Sequence, residues 1–406
     1  MVKMLAANYT KGAVFAFILW ITSFLGSIFI LIPFFPLIHF RHKVWRDCAD
    51  RLIGMWLTLP PALTEFLYGV KYYVTGDRIR YNEPAIIVMN HRTRLDWLFF
   101  WSVLYKMDPR LLTSEKISLK KELKRIPGAG WAMECDAFIF LDRIWSNDQL
   151  ILTDTVDYYS RMQNNYQILL FPEGTDKCAK ATARSDSYAQ KMGLQRFQQV
   201  LHPRTTGFTH LARKMHQVGY LSSIYDVTIG YADNIVQSEL DMAEQGPPQS
   251  VHCHVRRHSV DEVPLDEGDA AVDRWLQQLW VDKEQRLAEF YAETEPRRRH
   301  FATEKQHLFW PVEFSGVPLF GLGFSVAFWL LTASMWLYFF FTLTPTLVYI
   351  VCSVGVFVFM QTRFGGIERW SIRKCLSTRP TTTTQLLNDG NNATFNNNNN
   401  NNVTAK

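Results

Sequence analysis

His91 and Asp96 stand five positions apart in Asn90-His91-Arg92-Thr93-Arg94-Leu95-Asp96-Trp97. An imidazole takes up a proton near neutral pH, and a carboxylate against its other nitrogen fixes the tautomer and steadies the imidazolium. Such a pair can deprotonate an alcohol or a water. Spacing alone says little, because His42 and Asp47 repeat it inside a basic stretch that follows a long apolar run. Position separates the two: 85–89 reads as a buried strand and His91 follows it, at the carboxyl end where open α/β sheets bind ligands. Glu173, Gly174 and Thr175 follow another apolar run, 168–171. They offer a carboxylate acceptor on a turn whose glycine lets backbone approach a ligand. Arg143 follows 137–141, and Arg204 precedes a helical run at 206–216. A guanidinium in either place can hold a phosphate bidentately, and a structural ion pair explains each equally well taken alone.

These residues need a scaffold. Between 71 and 313, short runs rich in Ile, Val and Phe alternate with longer helix-period segments, which predicts an α/β domain whose mixed sheet is covered by helices. Strands are expected at 85–89, 110–114, 137–141, 168–171, 224–231 and 251–255, and helices at 97–105, 148–162, 206–216 and 272–290. The segment 116–125, with Lys116, Lys120 and Lys124 four apart, reads as a basic helix. Its cations suit either a solvated face or, given the apolar segments flanking the domain, a surface turned to anionic headgroups.

Those flanking segments bind the domain to a bilayer. Residues 12–40 contain no Asp, Glu, Lys or Arg, and 29 residues exceed the roughly 20 that a helix needs to cross a hydrocarbon core. Residues 314–362 are equally free of charge and are interrupted at Thr342-Leu343-Thr344-Pro345-Thr346, which fits two spans and a tight turn. The stretch 52–70 holds Pro60, Pro61 and Glu65 and reads as re-entrant or interfacial. Basic residues follow 12–40 and flank 314–362, so the central domain should be cytosolic. The expected organisation is an N-terminal membrane anchor and interfacial segment at 1–70, a catalytic domain at 71–313, a transmembrane hairpin at 314–362, and a basic segment with a Thr/Asn-rich, unstructured tail at 363–406. The sequons at Asn392 and Asn402 should therefore stay unglycosylated. Six unpaired cysteines suit a reducing compartment. With 43 Lys+Arg against 38 Asp+Glu, a net charge of +5 gives no electrostatic reason to bind nucleic acid.

The four strand-end motifs, in this order from His91 to Gly207, resemble those of the glycerophospholipid acyltransferase family. The wording Phe-Pro-Glu-Gly-Thr-Asp at 171–176, the run Leu-His-Pro-Arg-Thr-Thr-Gly-Phe at 201–208 and the apolar hairpin look most like its lysocardiolipin and lysophosphatidylinositol acyltransferase branch. The resemblance implies that His91 and Asp96 are the catalytic pair and that Arg143, Glu173, Gly174 and Thr175 bind the phosphorylated acceptor, with Arg204 beside them. It also implies acyl-CoA as co-substrate, with no resident cofactor or metal. The family's third motif commonly ends in arginine where this chain has Asp176. An anion there would repel a dianionic phosphomonoester more than a diester or an inositol headgroup.

The expected reaction is acyl transfer to an anionic lysophospholipid (lysocardiolipin, lysophosphatidylinositol or lysophosphatidylglycerol). His91 acts as base, and N–H groups near Thr93 are candidates for the oxyanion. The alternatives are acylation of 1-acylglycerol-3-phosphate, an acyl-CoA thioesterase using the same pair on water, and a silent lipid-binding scaffold. His252 and His254 share a strand face but supply only two of the four ligands that a closed zinc site needs. The expected location is the endoplasmic reticulum membrane, multi-pass, with bulk membrane and mitochondrial contacts both fitting.

Overall fold

The computed structural model describes residues 2–302 and 316–377. The expected boundary at 313 and the tail with its two sequons lie outside the described residues. A seven-stranded mixed sheet organises the chain, in the order β1-β7-β6-β2-β5-β3-β4. The strands are β1 (Lys71–Gly76), β2 (Ala85–Met89), β3 (Glu115–Lys120), β4 (Ile139–Leu141), β5 (Gln167–Leu170), β6 (Ser223–Tyr231) and β7 (Ser250–Ser259). Five strands run parallel, with β2 between β5 and β6, while β7 is antiparallel to β6 and β1 follows β7. The carboxyl ends of β2, β3, β4, β5 and β6 therefore share one edge.

Every residue of β2 is buried. Alternation sends Ala85, Ile87 and Met89 into one core and Ile86 and Val88 into the other. A parallel strand covered on both faces needs such a continuous apolar run, and each large side chain removed from water contributes about 1.5–3 kcal/mol. Helices Trp145–Met162, Thr205–Gln217 and Asp269–Ala292 cover the second face. The first is covered by His42–Trp56, Leu59–Tyr68 and Asp96–Met107, and beyond them by the apolar helices.

Among the described residues, three helices are long and apolar enough to cross a membrane: Asn8–Phe40, Phe320–Thr342 and Thr344–Phe364. The last two form the expected hairpin, and they pack back onto the protein. Trp131 stacks on Phe357 at 4.5 Å and Phe29 on Trp336 at 5.3 Å. The first apolar helix touches the domain at two distant points. Near its start the Tyr9 hydroxyl donates to Glu244 Oε1 at 2.8 Å, and Gly12 lies so close to Ala243 that an added Cβ would sit 2.8 Å from its Cβ. Some twenty residues later, Ser27 Oγ donates to the Gly128 carbonyl at 3.0 Å.

Several expectations change. Residues 110–114 are not a strand; Leu111–Ser114 is a helical turn, and the strand is β3, just after it. The basic helix at 116–125 is β3 followed by a 3-10 turn, Lys121–Arg125. Lys116 is fully buried, 2.9 Å from Asp50 and 2.7 Å from Asp136, and Lys124 is buried against Glu368. Cations that far from water cannot form a headgroup-facing surface. The stretch 52–70 closes one helix and supplies all of Leu59–Tyr68, whose prolines occupy the first turn, where their missing N–H costs nothing. Leu59 to Thr64 are buried within the protein, so that helix is core rather than a free interfacial segment. Strand β1 was not expected; it pairs with β7 from Lys71 to Gly76.

Candidate active site

His91 emerges from β2 on the shared carboxyl edge, and the strand end is pinned by its neighbour. Asn90 Nδ2 donates to the Ile229 carbonyl at 3.1 Å and its Oδ1 accepts the Ile229 N–H at 2.8 Å, tying β2 to β6. His91 Nδ1 lies 3.0 Å from Asp96 Oδ2. A carboxylate only accepts, so Nδ1 carries the hydrogen and Nε2, which has no partner among the described residues, is left basic. The ring packs on Phe171, centroids 4.3 Å apart, and keeps 18% of its side chain exposed.

Asp96 opens the helix Asp96–Met107 and is wholly buried. It accepts the Thr93 N–H at 3.0–3.1 Å, the Thr93 hydroxyl at 3.1 Å and the Tyr231 hydroxyl at 2.5 Å. A buried carboxylate held by this many donors cannot rotate. Burial of the His91 ring works against its proton, but the hydrogen bond and charge of Asp96, with Glu173 and Asp176 beyond, outweigh it and hold the pKa above 6.5. The Thr93 N–H, expected to face an oxyanion, is spent on Asp96.

The turn after β5 lies against the His91 loop, because the two strands are neighbours. Its Lys177 N–H donates to the His91 carbonyl at 2.9 Å. Glu173 is buried, with both oxygens engaged: Oε1 accepts the His91 N–H and Trp280 Nε1–H, each at 3.2 Å, and Oε2 accepts the Leu201 N–H at 3.1 Å. The carboxylate expected to meet a ligand instead ties three segments together. Burial pushes its pKa up to about 7 despite these donors. Gly174, at φ +74°, carries the Arg204 side chain over it; an added Cβ would lie 3.3 Å from Arg204 Cδ. Arg204 N–H donates to the Pro172 carbonyl at 2.7 Å. Thr175 Oγ1 points to Asp176.

Arg143 shares the edge but not the neighbourhood. It follows β4, three strands from β2, which is about 14 Å at the usual interstrand spacing. Its φ of 62° is a rare left-handed value for a side-chain-bearing residue, and its side chain is exposed. The structure thus brings together His91, Asp96, Glu173, Gly174 and Arg204 and leaves Arg143 apart. Sequence reasoning missed Tyr231 and Trp280. Each comes from an element more than 100 residues away, and no local pattern signals them.

The other match to the spacing resolves differently: His42 Nε2 meets the Tyr158 hydroxyl at 3.1 Å, and Asp47 pairs with Lys43. His252 stacks on Tyr73 and His254 meets Thr75 Oγ1 at 3.0 Å. Among the described residues, no three His, Cys, Asp or Glu side chains are grouped to hold a metal ion. A cavity of about 450 Å³ lies away from His91, between the helices Trp145–Met162, Thr205–Gln217 and Asp269–Ala292. Its cations are already paired, Arg213 with Asp269 and Lys214 with Asp157.

Residues 71–232 match the acyltransferase family model, and residues 245–312 match the model of the acyltransferase C-terminus. The chain belongs to the acyltransferase family, enzymes that transfer acyl groups. Within that class it is 45% identical over 346 residues to lysophosphatidylinositol acyltransferase 10 of Caenorhabditis elegans, covering 84% of this chain and 87% of that protein. It is 37% identical over 358 residues to lysocardiolipin acyltransferase 1 of Mus musculus, covering 88% and 93%. A probable 1-acyl-sn-glycerol-3-phosphate acyltransferase 5 of Arabidopsis thaliana is 32% identical over 270 residues, 66% of this chain and 70% of that one.

Proposed function

We propose that this enzyme transfers a fatty acyl group from acyl-CoA to the free hydroxyl of an anionic lysophospholipid: lysophosphatidylinositol, lysocardiolipin or lysophosphatidylglycerol. The observation that carries the reading is the 3.0 Å contact of His91 Nδ1 with a buried, fully engaged Asp96, which leaves Nε2 free at a ligand-binding sheet edge. His91 Nε2 takes the hydroxyl proton as the oxygen attacks the thioester carbonyl. The C–S bond then breaks, and the proton passes from His91 to the departing thiolate, giving free CoA and the acylated phospholipid. Asp96 holds the ring and balances the imidazolium. Arg204 supplies a headgroup cation over the Gly174 turn, with Thr175 beside it and Glu173 as brace, and Arg143 meets lipid phosphate farther along the edge. The preference for diester headgroups rests on Asp176, whose charge reaches the His91 ring, and on the high identity to the two remodelling enzymes. Residues 71–313 form the catalytic domain and face the cytosol at the endoplasmic reticulum.

The test is a kcat/KM panel of lysophospholipids against acyl-CoAs with purified protein. Diester acceptors should exceed lysophosphatidic acid, and His91→Ala should lower transfer by about 10²- to 10⁴-fold. Free fatty acid released regardless of acceptor would make the enzyme a thioesterase, and near-normal turnover in His91→Ala would remove the base.

A further inference from the structure

Two cations beside His91 have no ion-pair partner among the described residues. Arg92 makes no hydrogen bond or ion pair with any described residue, and its Nε is buried without a partner. A guanidinium N–H taken from water and left unsatisfied is costly, and its persistence in a folded site calls for an explanation. Lys177 is nearly buried, and its Nζ meets only a neutral hydroxyl, that of Thr182 at 3.1 Å. No carboxylate lies within ion-pairing distance of it among the described residues.

The two are held close together by backbone. Arg92 follows His91 in the chain, and the Lys177 N–H is bonded to the His91 carbonyl at 2.9 Å. Their charges act on each other: burial and then the charge of Arg92 hold the Lys177 pKa below its usual value, against the opposing pull of Glu173, Glu284 and Asp186, none of which reaches its Nζ. Two like charges gathered at a water-poor sheet edge, with Glu173 and Glu284 engaged by other donors, form a site with no carboxylate in contact with either cation among the described residues. The cations of the cavity between the helices, by contrast, are ion-paired, Arg213 with Asp269 and Lys214 with Asp157.

We propose that Arg92 and Lys177 form a phosphate-binding pair at the His91 site, gripping a phosphodiester or diphosphate that a substrate carries. Resting on the acyl-transfer reading above, this makes the two residues specificity determinants. They fix the distance between a phosphate and the reacting atom at His91 Nε2, and they do so without taking part in the proton transfer. Both substrates carry suitable phosphate, the acceptor in its headgroup and the thioester donor in its nucleotide.

Binding separates these sources and is measured in the His91→Ala background, where no turnover intervenes. Lysophosphatidylinositol in detergent micelles and CoA are titrated separately by calorimetry. Adding Arg92→Ala or Lys177→Ala should weaken one of the two ligands by about ten- to a hundred-fold, and Arg92→Lys should restore most of the loss. Loss for the lysolipid assigns the acceptor phosphate, and loss for CoA assigns the donor. In the otherwise wild-type enzyme the same substitutions should raise KM for that substrate more than they lower kcat. They should have little effect on a partner lacking the phosphate, monoacylglycerol or an acyl-pantetheine thioester. Unchanged affinity for both ligands, or equal losses with and without the phosphate, would overturn the pair. A protein that binds through Arg92 but acylates no lysophospholipid would instead overturn the proposed function and keep the site.

Discussion

Replacing Asp96 by asparagine tests the pair most directly, because the geometry fixes what each half of the side chain loses. Four donors converge on the carboxylate: His91 Nδ1–H, the Thr93 N–H, and the Thr93 and Tyr231 hydroxyls. The two hydroxyls can turn and accept, whereas the amide N–H and the ring N–H cannot. Asparagine will therefore keep its oxygen toward His91 and Thr93 N and present its NH2 group to the hydroxyls. The site stays assembled at a cost of about 1–3 kcal/mol, the value of one disturbed buried donor. The charge is lost, however, and with it the balance of the imidazolium, so kcat/KM should fall by about 10²- to 10⁴-fold. The pH profile gives an independent sign. In the wild type the carboxylate raises the His91 pKa against its burial. The neutral, active ring therefore appears only as pH climbs through a value above 6.5. In Asp96→Asn burial prevails, so the rising limb should move to lower pH while its plateau drops. Stability follows the same linkage: the extra stabilisation from protonated His91 on Asp96 is complete below the unfolded value and fades as pH rises through the folded one. The gap in melting temperature between wild type and variant should therefore be wider in mild acid. Thiol release in detergent micelles across this range measures the rates. A variant within about three-fold of wild type, with its limb unmoved, would refute the assignment of Asp96.

Two further outcomes follow from other parts of the fold. Lys116→Met leaves Asp50 and Asp136 facing each other with only Arg46 between them. Thermal unfolding in detergent should show a loss of about 3–5 kcal/mol with the response to anionic lipid unchanged; unaltered stability with a lost lipid response would restore a headgroup role. Because both ends of the stretch from Tyr9 to Ser27 are bonded to the catalytic domain, Asn8→Cys should react with a membrane-impermeant maleimide from the same side as the exposed Cys178. Labelling from opposite sides would contradict that docking.

What the sequence disclosed was local. His91 and Asp96 lie within one turn of chain after a strand whose unbroken apolar run could only be buried on both faces, so strand, site and spacing were readable together. The Gly174 turn was legible for the same reason, its flexibility being written in one residue. Lys116 misled because a spacing of four among lysines suggests a helix face. Its counter-charges, Asp50 and Asp136, come from segments 66 and 20 residues away. Glu173 was recognised as part of the site, but its bracing contacts were not legible, since its three donors belong to three separate elements. The strand β1 escaped because its alternation covers only Tyr72 and Val74 before the chain turns.

The apolar cluster on the first face of the sheet runs without a break from Ile87 and Leu98 through Trp45 and Trp131 to Trp329 and Phe357 of the hairpin. Synthesis completes β7 well before residue 364 leaves the ribosome. Until then the tryptophans of this face lack the cover that the hairpin provides. Cutting the chain ahead of the hairpin to obtain a water-soluble fragment would leave that apolar face open, so a stably folded fragment should need the two hairpin helices as well.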